Sequence, residues 1–106
     1  MTQETLNKLF DVIESRKGSD PSDSYVASLF ARGTSKIAQK VGEEAVETCI
    51  EALQGDKKKL AEESADLLFH LMVLWADAGL KPQDITKILE GRMGVSGHAE
   101  KASRTK

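Results

Sequence analysis

Residues 34–78, TSKIAQKVGEEAVETCIEALQGDKKKLAEESADLLFHLMVLWADA, decide how this chain folds. Two long runs with helical spacing are separated by Gly55 and Asp56 alone. Gly55 stands where a left-handed residue ends a helix, and Asp56 is suited to cap the next one. The pattern predicts one helix from about Ser35 to Gln54, with Thr34 as its cap, and another from Lys57 to Ala78, ended by Gly79. So short a connection forces the two helices to lie antiparallel.

Outside this hairpin the signals are those of shorter helices. Leu6, Leu9, Phe10 and Ile13 recur at helical spacing behind Thr2, a candidate cap, and predict a helix from Gln3 to about Lys17, stopped by Gly18. The polar stretch from Gly18 to Ser24 has loop chemistry. Val26, Ala27, Leu29 and Phe30 suggest a short helix closed by Gly33, and Pro82 opens a last one through Ile85, Ile88 and Leu89 to near Gly91. No alternating strand pattern and no internal repeat occurs. The expectation is an all-α fold, a helical bundle of about five helices built around the central hairpin, forming one domain over residues 1–106 with a mobile tail at 94–106.

Composition narrows the function. The 106 residues are 40% hydrophobic and 30% charged, ordinary proportions for a globular chain. The longest apolar stretch, Leu67 to Ala76, is interrupted by His70 and is about half the length that spans a bilayer. A formal net charge of −2 and 5% aromatic residues argue against a nucleic-acid partner, which needs a basic face and stacking rings. The first residues lack the basic and apolar pattern of a secretory signal, and a lone Cys49 fits a reducing cytoplasm. Cys49, His70 and His98 are too scattered for a zinc site of usual spacing. Any metal is expected to be a hard, oxygen-bound cation.

Acid placement is uneven. Glu43, Glu44, Glu47, Glu51 and Asp56 occur between Val41 and Asp56 without a Lys or Arg, and Glu62, Glu63, Asp66 and Asp77 occur between Leu60 and Leu80, again without one. Like charges one turn apart repel, so solvated helix faces normally interleave signs. At 100° per residue, Glu43, Glu44 and Glu47 share one stripe with Lys36 and Lys40, while Glu63, Asp66 and His70 share a stripe on the second helix. The opposite sides are apolar: Ile37, Val41, Ala45, Cys49 and Leu53 on the first, and on the second an arc from Leu60 to Trp75 wide enough to need several neighbours.

Counting from the turn brings the acids together. Glu47 lies eight residues before Gly55 and Glu63 eight after, whereas Glu44 lies eleven before and Asp66 eleven after. Equal counts mean equal heights in an antiparallel hairpin, about 12 Å and about 16 Å from the turn. The expectation is a cage of four carboxylates. Unpaired, they would raise one another's pKa values. Mg²⁺ resolves the conflict, because it prefers carboxylate, water and phosphate oxygens. Lys36 and Lys40 are placed to meet phosphate. His70, one turn beyond Asp66, is expected to orient a neighbour rather than act as a base, and Cys49 is expected in the core.

Ser24-Tyr-Val-Ala-Ser-Leu-Phe30, Gly33-Thr34, the stretch from Lys36 to Glu47 and the stretch from Glu63 to Leu71 together resemble the phosphoribosyl-ATP pyrophosphohydrolase family, one of the all-α, MazG-like nucleotide pyrophosphohydrolases. The residues from Gly94 to Arg104 are also similar to that family's C-terminus. The resemblance implies hydrolysis of phosphoribosyl-ATP to phosphoribosyl-AMP and pyrophosphate, the second step of histidine biosynthesis, with Mg²⁺. Carried over, Glu44, Glu47, Glu63 and Asp66 would be metal ligands, Glu43 an acidic neighbour orienting water, and Lys36 and Lys40 phosphate contacts. It also implies a cytoplasmic homodimer acting on a small nucleotide, in keeping with the wide apolar arc. Ser35 stands where many relatives carry a basic residue. Two other readings share the pattern: a nucleotide-pool sanitising (d)NTP pyrophosphohydrolase with the same cage, and a helical dimerisation module without chemistry.

Overall fold

Five helices follow one another in the computed structural model, which describes residues 3–93. They are α1 (Gln3–Ser15), α2 (Tyr25–Arg32), α3 (Thr34–Gln54), α4 (Lys57–Ala78) and α5 (Pro82–Arg92), with no strand among the described residues. The chain is all-α, as its spacing predicts. The expected cap at Thr2 and the expected tail at 94–106 lie outside the described residues.

Most helix ends follow from single residues. Ser24 accepts the Ala27 N–H at 3.1 Å and starts α2, and Gly33, at φ +91°, closes it. Asp56 Oδ1 accepts the Lys59 N–H at 3.0 Å and starts α4, one residue after Gly55 has turned the chain at φ +76°. A side chain at that φ would crowd its own carbonyl, so glycine suits the position. Asp84 Oδ2 accepts the Lys81 N–H at 2.8 Å across the first turn of α5.

Two boundaries differ from expectation. α1 stops at Ser15 rather than Lys17, and the chain leaves it through a turn in which Lys17 N–H reaches Glu14 O. Thr34 is the first residue of α3 and not its cap, a place Gly33 takes without a side-chain bond. The Thr34 hydroxyl is committed elsewhere: it donates to Asp77 Oδ2 at 2.6 Å and ties the start of α3 to the end of α4.

Side by side, α3 and α4 form the hairpin, α1 packs on α4, and α2 packs on α3. The core joins Phe10 and Ile13 of α1, Val26 and Leu29 of α2, Ile37 of α3, and Met72, Val73 and Ala76 of α4. Each large apolar side chain buried there contributes about 1.5–3 kcal/mol. Lys17 Nζ, 2.7 Å from the Ala76 carbonyl and 5.7 Å from the centre of the Phe30 ring, crosses between elements at the same end. All of this lies toward the end of the hairpin opposite Gly55. Near the turn, the second half of α3 leaves Val46, Ile50 and Leu53 exposed. Cys49 is exposed too, contrary to the core position expected for it, because no described element covers that side of α3.

Candidate metal and phosphate site

Because α3 and α4 run antiparallel from a two-residue join, residues equally far from Gly55 face each other. Glu44, Glu63 and Asp66 each bring a carboxylate oxygen within 4.8 Å of the other two. Glu44 is buried, at 8% exposure, and Glu63 is half-buried. One Glu63 oxygen, Oε2, is shielded from solvent without a hydrogen-bond partner. An enclosed carboxylate oxygen with nothing to accept from, beside two further carboxylates, is the donor set a hard divalent cation requires.

Glu47 completes the expected pair by abutting Glu63. Hydrogen bonding with the Glu47 carboxyl pushes the Glu63 pKa up to about 7, with desolvation and Glu44 adding to the effect. Both level pairs of the hairpin are thereby in contact range. The arrangement is three converging acids with a fourth at the flank rather than a symmetric cage of four.

The remaining expected residues divide. Lys40 Nζ lies 3.3 Å from Glu43 Oε1 and 3.9 Å from Glu44 Oε1, and hydrogen bonding to Glu43 raises its pKa. Glu43 is not brought to the cluster. Its carboxylate accepts from Gln39 Nε2 at 2.8 Å, and this bond, followed by the one to Lys40, lowers its pKa. Glu43 precedes Glu44 by one residue, 100° around the helix, far enough to turn it outward. Lys36 is half-buried on the same side of α3 and close enough for its charge to act on Glu43. His70 is buried and joined to Tyr25, whose hydroxyl lies 2.9 Å from Nε2. Sequence reasoning had no role for Tyr25, since its partner is 45 residues away.

An antiparallel helix hairpin presenting Glu-x-x-Glu against Glu-x-x-Asp is consistent with the all-α, MazG-like nucleotide pyrophosphohydrolases. Within that class, the family model described as phosphoribosyl-ATP pyrophosphohydrolase matches residues 6–93, and the chain belongs to this family. It is 63% identical over 99 residues to a phosphoribosyl-ATP pyrophosphatase of Azospirillum brasilense, covering 93% of this chain and 89% of that one. It is 58% identical to the protein of that name from Zymomonas mobilis over all of this chain and 99% of the relative. A third, from Gluconobacter oxydans, is 56% identical over 95% of this chain and 76% of its own length.

Proposed function

We propose that the protein hydrolyses phosphoribosyl-ATP to phosphoribosyl-AMP and pyrophosphate, the second step of histidine biosynthesis, as a cytoplasmic homodimer that uses Mg²⁺. The observation that carries this reading is the convergence of Glu44, Glu63 and Asp66 within 4.8 Å in a chain of this family. Glu44, Glu47, Glu63 and Asp66 would hold the ion. When bound there, Mg²⁺ supplies charge to the phosphate oxygens and lowers the pKa of a coordinated water.

The chain's own side chains divide the remaining work. Lys40 and Lys36 lie on the same side of α3 as Glu44 and Glu47 and receive anionic phosphate oxygens. Glu43 acts through Lys40, holding its ammonium next to Glu44 until phosphate competes for it. Glu63 must give up its proton for the cluster to bind a cation.

Pyrophosphate release from phosphoribosyl-ATP tests the reading. It should require Mg²⁺, stop with EDTA, and exceed the rate on each member of a dNTP panel. Glu47→Gln should lower turnover by at least about 100-fold, the upper end of what loss of a ligand-supporting group costs, with the helical circular dichroism retained. Equal turnover of any dNTP, release without a divalent cation, or full activity of Glu47→Gln would overturn it.

A further inference from the structure

Among the described residues, His70 is the buried titratable side chain that the proposed reaction leaves without a task. The residue is 6% exposed, with Nδ1 2.7 Å from the Asp66 backbone oxygen and Nε2 2.9 Å from the Tyr25 hydroxyl. A carbonyl oxygen only accepts, so Nδ1 carries the hydrogen, and in the neutral ring Nε2 accepts from the phenol. The Phe69 ring meets His70 edge-on at 5.3 Å between centroids, and the Tyr25 ring does so at 5.8 Å. Tyr25 is therefore anchored by its hydroxyl, yet the residue is 53% exposed.

A phenol tied at its tip and open on its body is an apolar surface already ordered before anything lands on it. The chain has one Trp, one Tyr and three Phe; Phe10 is buried, Phe30, Phe69 and Trp75 are half-buried, and Tyr25 alone is exposed. Its location is specific. His70 follows Asp66 by one turn, about 6 Å along α4, which puts Tyr25 at the end of the acidic stripe away from Gly55. Tyr25 also lies within electrostatic range of Lys40, whose ammonium is 3.9 Å from Glu44. At the opposite end, residues 46–65 contain no aromatic side chain.

We propose that Tyr25 is a specificity-determining residue, its exposed ring stacking on the purine base of the nucleotide whose phosphates meet the acidic cluster, with His70 as the positioning residue that holds the phenol. The inference rests on the nucleotide reading above and adds where the base lies. A purine has a face for such a ring, and inorganic pyrophosphate has none, so the two probes separate stacking from general damage to the site.

Inhibition constants for AMP and for inorganic pyrophosphate, measured with Mg²⁺, provide the test. Tyr25→Leu should weaken AMP by about tenfold, within the range for loss of base–aromatic stacking, raise KM for phosphoribosyl-ATP more than it lowers kcat, and shift pyrophosphate by less than twofold. Tyr25→Phe, which keeps the ring, should recover most of the AMP affinity. Tyr25→Trp reads the contact directly and covers the case in which Tyr25→Leu does not fold: AMP should quench the added emission over the Trp75 background, and pyrophosphate should not. Unchanged AMP affinity in Tyr25→Leu, equal weakening of both probes, an unquenched Trp, or no AMP binding by the wild type would overturn the inference. Phosphoribosyl-ATP turnover by the wild type would leave the proposed function standing in each case. Absence of that turnover would defeat the function, while quenching of Tyr25→Trp would still place the base.

Discussion

Glu63 is the residue through which pH enters this site. In the folded protein it keeps its proton up to about 7, whereas the ordinary glutamate value is 4.5. Between those values the native chain binds more protons than the unfolded one, so without metal this group makes stability fall as pH rises, and the loss is complete above about 7. Glu63→Gln cannot ionise. Its melting temperature relative to the wild type, both in EDTA, should climb from pH 5 to pH 7.5 and then level, and the Mg²⁺-induced thermal shift of the wild type should grow over the same interval. A difference that is flat with pH would contradict the assignment. At this scale the sequence is legible where neighbours are local or symmetric about the turn, as for Glu44 with Asp66. It is opaque where the partner is remote, as for Tyr25 with His70, or where one step around a helix decides inside from outside, as for Glu43 beside Glu44.

The hairpin was legible as an element because its punctuation is chemical. Gly55 supplies a left-handed turn, Asp56 a carboxylate for a free N–H, and Gly79 a second left-handed stop at φ +81°. Asp56→Ala should remove the cap on Lys59 N–H and cost about 1 kcal/mol, a fall of roughly 4–8 °C in melting temperature. Asp56→Asn, which can still accept that bond, should restore most of it. An unchanged Asp56→Ala melt would mean that the cap adds nothing. The start of α3 departs from the sequence expectation for a reason of the same kind. A threonine before a helical run is a good cap on local grounds, and only Asp77, 43 residues on, diverts its hydroxyl.

At the scale of the whole molecule, the five described helices leave one apolar face of α3 uncovered. Val46, Ile50 and Leu53 recur at helical spacing on α3 and stay exposed, Leu53 to 89%. Stripes of this sort mark association surfaces, and the homodimer proposed above would supply a second copy of the chain to cover this one. Leu53→Glu should weaken dimerisation by at least about tenfold, the equivalent of ~1.4 kcal/mol, read as a shift toward the monomer mass in light scattering across a dilution series. A wild type that is monomeric throughout, or a variant that dimerises equally well, would dismiss this surface. Of that stripe only Leu53 was grouped with the apolar side in the sequence, beside Ile37, Val41, Ala45 and Cys49, and its exposure was not legible, since whether a face is covered depends on what packs there.

The two-residue join at Gly55 and Asp56 carries one more implication. Loops on protein surfaces ordinarily tolerate an insertion at little cost. Within the rods there is no such slack: a residue added to α4 between Asp56 and Glu63 would carry the acids beyond it 1.5 Å along the axis and 100° around it. Glu63 would then miss Glu47, and Asp66 would miss Glu44, so the number of helical residues between the turn and the acids is as much a part of the chemistry as the acids themselves.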